Sequence, residues 1–403
     1  MGRRPADAVT LEKQTFDKTT PRCQHFGVCG GCTLQDLPYA SQLELKRTLL
    51  AKQFAALGYT AAIPVQGLGE PWRYRNKMEF TFGTWDGEVV LGLHERGSFW
   101  KIVDVVDCHL VPVVFSDVLA AVRRLVRATG LPAYNPRTHQ GFFRYLMLRQ
   151  SRATGELVAC LITTAGEEPA MHSLASQLRD EVPQMVSVYW GVNQKLADVA
   201  IPDELQLIAG SACFEEQIGP FRLTLHPFNF LQPNLEQAER IYETIVQLSR
   251  PGPAEVAWDL YAGVGLVSLY LAGSAGRVIG MESDAHNVTL ARLNAERAGL
   301  TQIEYRHGRV EELLRLRNRL TWMGQPSLIV VDPPRSGLHK EVQQGIVAAF
   351  PRQLVYLSCN AASQVADLQR ILAMAPQYRL AHVLAYDMFP QTSHVETLVV
   401  LER

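Results

Sequence analysis

The feature that most constrains the fold is a regular alternation of apolar strands and helical segments in the second half of the chain. Four apolar runs predict buried strands, at residues 256–260, 278–282, 328–332 and 354–358. Helical periodicity fills the intervals between them. Strands joined in this way are parallel, because a parallel pair needs a long crossover connection. The sequence therefore predicts an α/β fold with a doubly wound, Rossmann-like parallel sheet, whose chemistry lies at the carboxyl ends of the strands.

The first half of the chain has a different pattern. We predict a polar N-terminal tail over residues 1–22, a mixed α+β region over residues 23–219 and the alternating catalytic domain over residues 220–403. Helical spacing predicts helices over residues 41–57 and 116–129, with Ser116 as the cap of the second. Asn234 is predicted to cap the first helix of the catalytic domain.

Composition excludes some classes of protein. The 403 residues carry 39 Lys and Arg against 40 Asp and Glu, so the net charge of −1 indicates no general attraction to nucleic acid. Any RNA site must be a local patch. No run of about 18 apolar residues predicts a membrane span, and no apolar run follows Arg3 and Arg4 as in an export signal. We therefore expect a cytoplasmic protein that does not bind membranes.

The clearest local patch for nucleic acid is Trp72-Arg73-Tyr74-Arg75-Asn76-Lys77. Arginines of this kind bind phosphates, and aromatic rings stack on bases. Strict alternation over residues 78–82 and the turn at residues 85–88 then predict a β-hairpin. The exposed edge of a strand would have a similar composition, so the patch alone does not decide between the two interpretations.

Three of the seven cysteines lie within ten residues, in the motif Cys23-x5-Cys29-Gly30-Gly31-Cys32. Glycines let the backbone wrap closely around a small inorganic group. Cys108, the next cysteine along the chain, is the candidate for a fourth ligand. Cysteine spacing favours an iron–sulfur cluster and a structural zinc ion equally, and both over disulfides in a cytosolic chain.

A glycine turn follows the first strand of the catalytic domain, in the sequence Asp259-Leu260-Tyr261-Ala262-Gly263-Val264-Gly265. Glu282 lies 23 residues after Asp259, at the end of the second strand, where a carboxylate binds the ribose hydroxyls of a nucleoside cofactor. The turn lacks the G-x-G-x-x-G pattern of dinucleotide sites. It is better suited to the uncharged adenosyl end of S-adenosylmethionine, although a structural turn is the simpler alternative.

Reactive side chains follow the later strands. Asp332 precedes two prolines, which hold it rigidly beside the predicted crevice. Cys359 ends a strand where a helix begins, and the helix dipole would lower the pKa of its thiol from about 8.5, which makes it a candidate nucleophile. Glu396 has apolar neighbours that would raise its pKa and suit it to accept a proton. A core cysteine, a proline stop and a surface glutamate are the structural alternatives.

These motifs together resemble the RNA uracil-5-methyltransferase family, the S-adenosylmethionine-dependent enzymes that make 5-methyluridine in ribosomal and transfer RNA. The resemblance runs from about Cys23 to Leu401. It rests on the cysteine motif, Arg73-Tyr74-Arg75-Asn76-Lys77, Phe230-Leu231-Gln232, the glycine turn, Asp332-Pro333-Pro334-Arg335, Ser358-Cys359-Asn360 and residues 387–396.

The resemblance implies a role for each matching residue. Cys23, Cys29, Cys32 and Cys108 would hold a [4Fe-4S] cluster. S-adenosylmethionine would be bound by Gln232, Tyr261, Glu282 and Asp332, with Gly263 in the turn beside them. Cys359 would be the nucleophile that adds to carbon 6 of uracil, and Glu396 the general base that removes the proton from carbon 5. The target uridine would be flipped out or single-stranded, with Phe389 or Tyr74 as stacking partners.

The chain departs from the family pattern in three places. Leu231 replaces a usual Phe, Ala262 replaces a common Cys, and only about 22 residues precede Cys23, so we expect no N-terminal RNA-binding β-barrel. This short form favours 23S ribosomal RNA as the substrate and leaves transfer RNA open. We expect a monomer.

Two other functions are compatible with some of the motifs. A purine amino-methyltransferase also carries Asp-Pro-Pro after its fourth strand, but needs no cysteine nucleophile. A non-catalytic RNA-binding iron–sulfur protein would keep the cysteine motif and the basic strand without Cys359 and Glu396.

Overall fold

The structure is a computed structural model that describes residues 12–315 and 322–403, so residues 1–11 of the predicted tail lie outside it. The helices are α1 Tyr39–Phe54, α2 Val114–Thr129, α3 Glu168–Glu181, α4 Leu235–Ser249, α5 Leu266–Ala272, α6 Ala285–Arg297, α7 Val310–Arg315, α8 Lys340–Ala349 and α9 Ala361–Met374. A 3-10 turn, Ala55–Leu57, follows α1. No helix in these two ranges is long and apolar enough to cross a membrane.

The strands fall into two large sheets and one hairpin. In chain order they are β1 Val65–Gln66, β2 Lys77–Trp85, β3 Glu88–His94, β4 Ile102–Asp104, β5 Phe143–Gln150, β6 Leu157–Thr163, β7 Met185–Val192, β8 Glu204–Gly210, β9 Phe214–Ile218, β10 Phe221–Leu225, β11 Val256–Leu260, β12 Arg277–Glu282, β13 Ile303–His307, β14 Pro326–Val331, β15 Gln353–Ser358, β16 Arg379–Tyr386 and β17 Glu396–Glu402.

The C-terminal sheet has the strand order β1-β16-β17-β15-β14-β11-β12-β13. Neighbouring strands among β11 to β15 are all parallel, which confirms the doubly wound core of the predicted sheet. The complete sheet is mixed, because β17, which lies outside the four predicted strands, runs antiparallel to both β15 and β16. Residues 387–395 connect β16 to β17 without a helix, and such a connection is too short for a parallel crossover.

The strand order determines which edge of this sheet can hold a binding site. From β11 the chain passes to β12 on one side, whereas β14 and β15 lie on the other side, so a crevice opens at the carboxyl ends of β11 and β14. Since β17 is antiparallel, it begins at that same edge. Residues that follow β11, β12, β14 and β15, and the first residue of β17, therefore converge there.

The N-terminal sheet has the order β4-β3-β2-β5-β6-β7-β8. Helices α2 and α3 cover one face, through core residues such as Val118 and Leu174. On the other face, Met147 and Cys160 belong to the same apolar core as Ile241 of α4 and Ala257 of β11. The two sheets are therefore joined by continuous apolar packing.

Helix α1 and strand β1 lie in the region that the sequence assigns to residues 23–219, yet they pack on the C-terminal sheet. Strand β1 pairs in parallel with β16, with Val65 opposite Ala385. Leu50 and Phe54 of α1 join the core that contains Leu368 of α9. The domain boundary at residue 219 stays a prediction. Helix α1 and strand β1 precede that boundary in the sequence but pack with the region that follows it.

Two of the predicted helix starts can be compared with the structure. Asn234 caps α4, because its side chain accepts a hydrogen bond from the backbone N–H of Gln237 at 3.2 Å. The prediction for Ser116 is wrong: α2 begins at Val114, and the Ser116 hydroxyl donates to Asp107 at 2.9 Å instead. The Ser116 hydroxyl therefore bonds to a residue outside the helix and does not cap α2.

A buried ion pair fixes α1 to the loop between β16 and β17. The Lys46 ammonium lies 2.5 Å from a carboxylate oxygen of Asp387, and both side chains are fully buried. Lys46 also donates to the backbone oxygen of Phe389 at 3.2 Å. One helical turn away, the side chain of Gln42 both donates to and accepts from Gln391. The loop at residues 387–395, which we call the catalytic loop, is thus held by α1.

We expect Lys46→Met to lower the free energy of unfolding by about 3–5 kcal/mol, because it leaves the buried Asp387 carboxylate without a compensating charge. Urea unfolding followed by circular dichroism measures this loss. Lys52→Met, on the exposed face of the same helix, is the matched control and should cost at most about 1 kcal/mol.

The double variant Lys46→Met with Asp387→Leu should recover part of the lost stability, since no charge is then left buried. Equal stabilities for Lys46→Met and Lys52→Met would contradict the anchoring role of the pair.

Candidate active site

A cavity of about 800 Å³ lies at the crevice of the C-terminal sheet. Its size is within the range of about 300–1,000 Å³ that is usual for small-molecule sites. The sequence-predicted residues that line it are Gln232, Tyr261, Glu282, Asp332, Cys359 and Glu396. The structure therefore brings together in one cavity residues spread over 165 positions of the chain, from 232 to 396.

The glycine turn and Glu282 form one wall. Tyr261, Gly263 and Gly265 all have positive φ values, of 67°, 55° and 88°. At Gly265 a Cβ atom would lie 2.2 Å from the Tyr305 hydroxyl, so only glycine fits. The Gly263 N–H donates to Glu282 at 2.9 Å, and the Asp284 N–H donates to the other carboxylate oxygen at 2.7 Å. Two backbone donors thus hold the Glu282 carboxylate at the cavity wall.

Asp332 lines the cavity directly after β14. Burial, together with the negative charge of Asp259, raises the pKa of its carboxyl group to about 7. Asp259 is itself buried, which raises its pKa to about 7, although the Ser268 hydroxyl donates to it at 2.6 Å. A cationic ligand in the cavity would favour the ionised form of both groups.

The helix cap after Cys359 also positions Arg335. Asn360 caps α9 through the N–H groups of Ala362 and Ser363. Its amide group donates to the backbone oxygen of Arg335 at 3.0 Å, and the Ser363 hydroxyl donates to that same oxygen at 3.2 Å. The first turn of α9 therefore keeps the segment after Asp332 beside Cys359.

The pKa of the half-buried Cys359 thiol is raised above its ordinary value. Burial is the main cause and the negative charge of Glu396 is the second, while a hydrogen bond and the charge of Arg335 oppose them. The expectation of a lowered pKa at Cys359 is therefore wrong. The reason is desolvation, which disfavours the charged thiolate.

Glu396 is a buried residue, with only 1% of its surface exposed, so it is not the surface glutamate of the structural alternative. Thr397 pairs with Ser358 across β17 and β15, which sets Glu396 beside Cys359 at the sheet edge. Burial raises the pKa of Glu396 well above its ordinary range. The charge of Asp332 adds to this effect, and that of Arg335 opposes it. Such a carboxylate is a stronger base than an exposed one.

The N-terminal region completes the cavity. Asn76 donates through its side chain to the Gln232 backbone oxygen at 3.0 Å and through its N–H to Pro233 at 2.9 Å. Arg75 and Lys77, from the predicted nucleic-acid patch, line the cavity. Asn76 thus ties the loop that carries Gln232 to the basic strand.

Two other residues of that patch have structural contacts. Arg73 forms a bidentate ion pair with Asp107, at 2.8 and 2.9 Å, and is not a lining residue. The Tyr74 hydroxyl donates to the Pro390 backbone oxygen at 3.0 Å, which ties this strand to the catalytic loop. Of the two predicted stacking partners, Phe389 lines the cavity and Tyr74 does not.

Sequence reasoning gave no role to three other lining residues, Arg149, Phe228 and Phe230. Arg149 is 1% exposed, and its Nη2 group donates to the Asn229 backbone oxygen at 2.9 Å. Its Nε and Nη1 groups have no partner among the described residues. Burial lowers the pKa of this guanidinium to about 10. An arginine among the apolar residues of β5 was the only signal in the sequence.

A second group of predicted residues lies away from this cavity. Cys23, Cys29, Cys32 and Cys108 line one separate pocket, whose other walls include Phe26, Leu93 and Val105. The Gly31 N–H donates to the Cys29 sulfur at 3.4 Å. Burial, together with charge on the neighbouring thiols, raises the pKa of Cys32 to about 12 and that of Cys108 to about 11. The four thiols are therefore close neighbours.

In the part of the chain that the structure describes, no group of three or more His, Cys, Asp or Glu side chains has the geometry to hold a metal ion.

Comparisons with known proteins agree with this architecture. A family model described as tRNA (uracil-5-)-methyltransferase matches residues 221–403. An RNA methyltransferase of Nitratidesulfovibrio vulgaris is 34% identical over 403 residues, which cover 98% of this chain and 85% of the relative. Another, from Caldanaerobacter subterraneus, is 33% identical over 414 residues, covering 100% of this chain and 89% of the relative.

A solved structure shares most of the fold. It is the Pyrococcus abyssi tRNA (uracil-54, C5)-methyltransferase in complex with S-adenosyl-L-homocysteine, with a TM-score of 0.73 and 27% sequence identity. The match covers 93% of this chain and 86% of that one. The strand order of the C-terminal sheet and the crevice at its carboxyl edge thus define a Rossmann-like methyltransferase. Within that class, the chain belongs to the RNA uracil-5-methyltransferase family.

Proposed function

We propose that this protein methylates carbon 5 of a uridine in RNA, with S-adenosylmethionine as the methyl donor, Cys359 as nucleophile and Glu396 as general base. The observation that carries the proposal is that Cys359, directly after β15, lies beside Glu396, the first residue of the paired strand β17. Both line the cavity that also contains Glu282 and Asp332.

The cofactor half of the cavity suits a cationic nucleoside. When bound, S-adenosylmethionine supplies a methyl group carried on a positively charged sulfonium. Glu282 is held by two backbone N–H groups and by the Ser283 hydroxyl at 3.2 Å, which leaves an acceptor site for a ribose hydroxyl. Asp332 offers a carboxylate whose ionised form a positive charge stabilises. We assign Gln232, Tyr261 and Gly263 to the same binding site because they belong to the loops that form its walls.

The substrate half contains the reacting groups. The Cys359 thiolate forms a bond to carbon 6 of uracil, which makes carbon 5 nucleophilic enough to accept the methyl group. Glu396 then takes the proton from carbon 5, and the carbon–sulfur bond breaks to release the thiolate. Arg335 opposes the rise in the pKa of Cys359 and so favours the thiolate needed for the first step.

The mouth of the cavity suits a flipped-out RNA base. Phe230 is 64% exposed at the cavity wall, and Phe389 lies on the catalytic loop, so both are available to stack on a base. Arg75 and Lys77 provide positive charge for the neighbouring phosphates. A purine amino-methyltransferase would have no use for the thiol and carboxylate pair.

For the RNA itself we propose 23S ribosomal RNA, since ribosomal RNA is one of the two substrate classes that the family resemblance implies. Transfer RNA is the second candidate, because the similar Pyrococcus abyssi enzyme acts on it. Unmodified transcripts of both RNAs, assayed in parallel for 5-methyluridine, would distinguish them.

We further propose that Cys23, Cys29, Cys32 and Cys108 hold a [4Fe-4S] cluster with a structural role. Four thiols around one largely apolar pocket are the donor set that such a cluster uses, and the Gly31 N–H bond to Cys29 is of the kind that stabilises cluster ligands. The resemblance to the RNA uracil-5-methyltransferase family is what favours the cluster over a zinc ion at these four cysteines. Methyl transfer involves no net electron transfer, so it does not require a redox role.

Trapping with RNA that contains 5-fluorouridine tests the nucleophile. Fluorine at carbon 5 cannot leave as a cation, so the wild-type protein with S-adenosylmethionine should remain covalently bound, as a slower band in a denaturing gel. Cys359→Ala should give no such band and no methyl transfer above background.

Cys213→Ala is the matched control, because Cys213 is partly exposed and lies outside the cavity. It should form the band as the wild type does. A covalent band that survives in Cys359→Ala would overturn the assignment.

Metal analysis tests the cluster independently of activity. Protein purified without oxygen should contain about four iron and four sulfide per chain, and Cys108→Ser should lose both. Cys213→Ser should retain them. Zinc in place of iron in the wild-type protein would contradict the proposal.

A further inference from the structure

A second cavity, of about 100 Å³, lies on the N-terminal sheet. It is formed by β2 and β5, the segment between β3 and β4, and the loop before β5. None of its lining residues lines the catalytic cavity. The role proposed above leaves this second cavity unused.

The walls of this cavity are aromatic and exposed. Phe99 is 64% exposed and Trp100 is 44% exposed, and the third ring is that of Tyr134. Positive charges surround Trp100, with the Arg137 guanidinium 5.3 Å and the Lys101 ammonium 5.5 Å from its ring centroid. Exposed rings of this size on a soluble domain indicate a binding surface.

The floor of the cavity is polar. The Tyr145 hydroxyl donates to Asp198, whose carboxylate also lies 3.3 Å from His94. The Nδ1 atom of His94 and the Nε atom of Arg144 are buried and have no hydrogen-bond partner in the described chain. Arg144 is 3% exposed, and its other N–H groups are fixed by backbone oxygens, among them that of Asn193 at 2.8 Å. Donors and acceptors are therefore positioned for a ligand.

This combination favours a nucleobase. Flat aromatic walls provide stacking, the polar floor can pair with the edge of a base, and the positive rim can contact the phosphates on either side. An apolar peptide side chain would leave the polar floor without partners, at a cost in free energy.

Strand β2 links the two cavities. Lys77, Glu79 and Thr81 lie on one face of the strand, alternating with buried core residues. Lys77 and Glu79 line the catalytic cavity, and Thr81 lines the second one. About 13 Å of strand separates Lys77 from Thr81, a distance that a few nucleotides of single-stranded RNA can span.

We propose that this aromatic pocket binds one unpaired base of the RNA substrate, a few nucleotides from the uridine in the catalytic cavity. The inference rests on the proposed RNA substrate, and it adds a second contact point for a single strand. A segment that presents two unpaired bases at this spacing would then be preferred over an isolated uridine.

Binding of uridine homopolymers tests the proposal with Cys359→Ala protein, which cannot turn over. The probes are oligouridines of about four and about sixteen nucleotides, the range of site sizes for single-strand grooves. The double variant Phe99→Ala with Trp100→Ala should bind the long probe about 5- to 150-fold more weakly, which corresponds to the loss of one stacked base. Its affinity for the short probe should change much less.

Trp85→Ala is the matched control, because Trp85 is 61% exposed on the same sheet and lies outside both cavities. It should bind both probes as the parent protein does. Equal affinities of the double variant and the parent for the long probe would overturn the proposal, and so would an equal loss in Trp85→Ala.

Photo-crosslinking locates the contact directly. A long oligouridine that carries 5-iodouridine should crosslink to the peptide that contains Phe99 and Trp100, as well as to the catalytic cavity. Crosslinks to the catalytic cavity alone would overturn the proposal. Failure of the proposed function is a separate result, since it would appear as absent methyl transfer by the wild-type protein while RNA binding at the pocket persists.

Discussion

The active site depends on the buried ion pair between Lys46 and Asp387. Asp387 begins the catalytic loop, which carries Phe389 to the cavity wall and leads into β17, where Glu396 lies. Without a partner the Asp387 carboxylate would be costly to bury, so α1 must be in place for the loop to adopt this path. The cysteine segment contacts the same loop, because the N–H groups of Thr33 and Leu34 donate to the Gln391 backbone oxygen at 2.9 and 3.0 Å. Parts of the chain far apart in sequence thus determine the position of Glu396, the proposed general base.

Burial also explains the chemistry of the site. Asp332 and Glu396 both have raised pKa values because they are buried near other carboxylates, and the pKa of Cys359 is raised by burial and by Glu396. A positively charged methyl donor beside these carboxyl groups would stabilise their ionised forms. Binding of such a donor would lower the pKa of all three groups.

Much of this site could be predicted from the sequence, because its residues end apolar strands of regular spacing. Strand β11 was predicted to the residue, and Glu282, Asp332 and Cys359 follow from the rule that parallel strands present their carboxyl ends at one edge. The strands β1 and β16 were not predicted. Strand β1 has only two residues, too few to show an alternating pattern, and the apolar and polar residues of β16 do not alternate clearly enough to identify a strand. The contacts of Arg73 and the orphaned N–H groups of Arg149 could not be predicted either, because they depend on partners distant in sequence. The expectation of a lowered pKa for Cys359 was wrong because burial raises this pKa, and burial cannot be judged from the neighbouring residues in the sequence.

The most direct test of the account is intact-mass spectrometry of Glu396→Gln incubated with S-adenosylmethionine and substrate RNA. The glutamine cannot accept the carbon 5 proton, so methyl transfer should proceed to a covalent complex that retains the methylated uracil on Cys359, and turnover should fall by about 10²- to 10⁴-fold. The mass of protein plus methylated RNA is the predicted result. Wild-type turnover by Glu396→Gln without an accumulated complex would contradict the roles given to both residues.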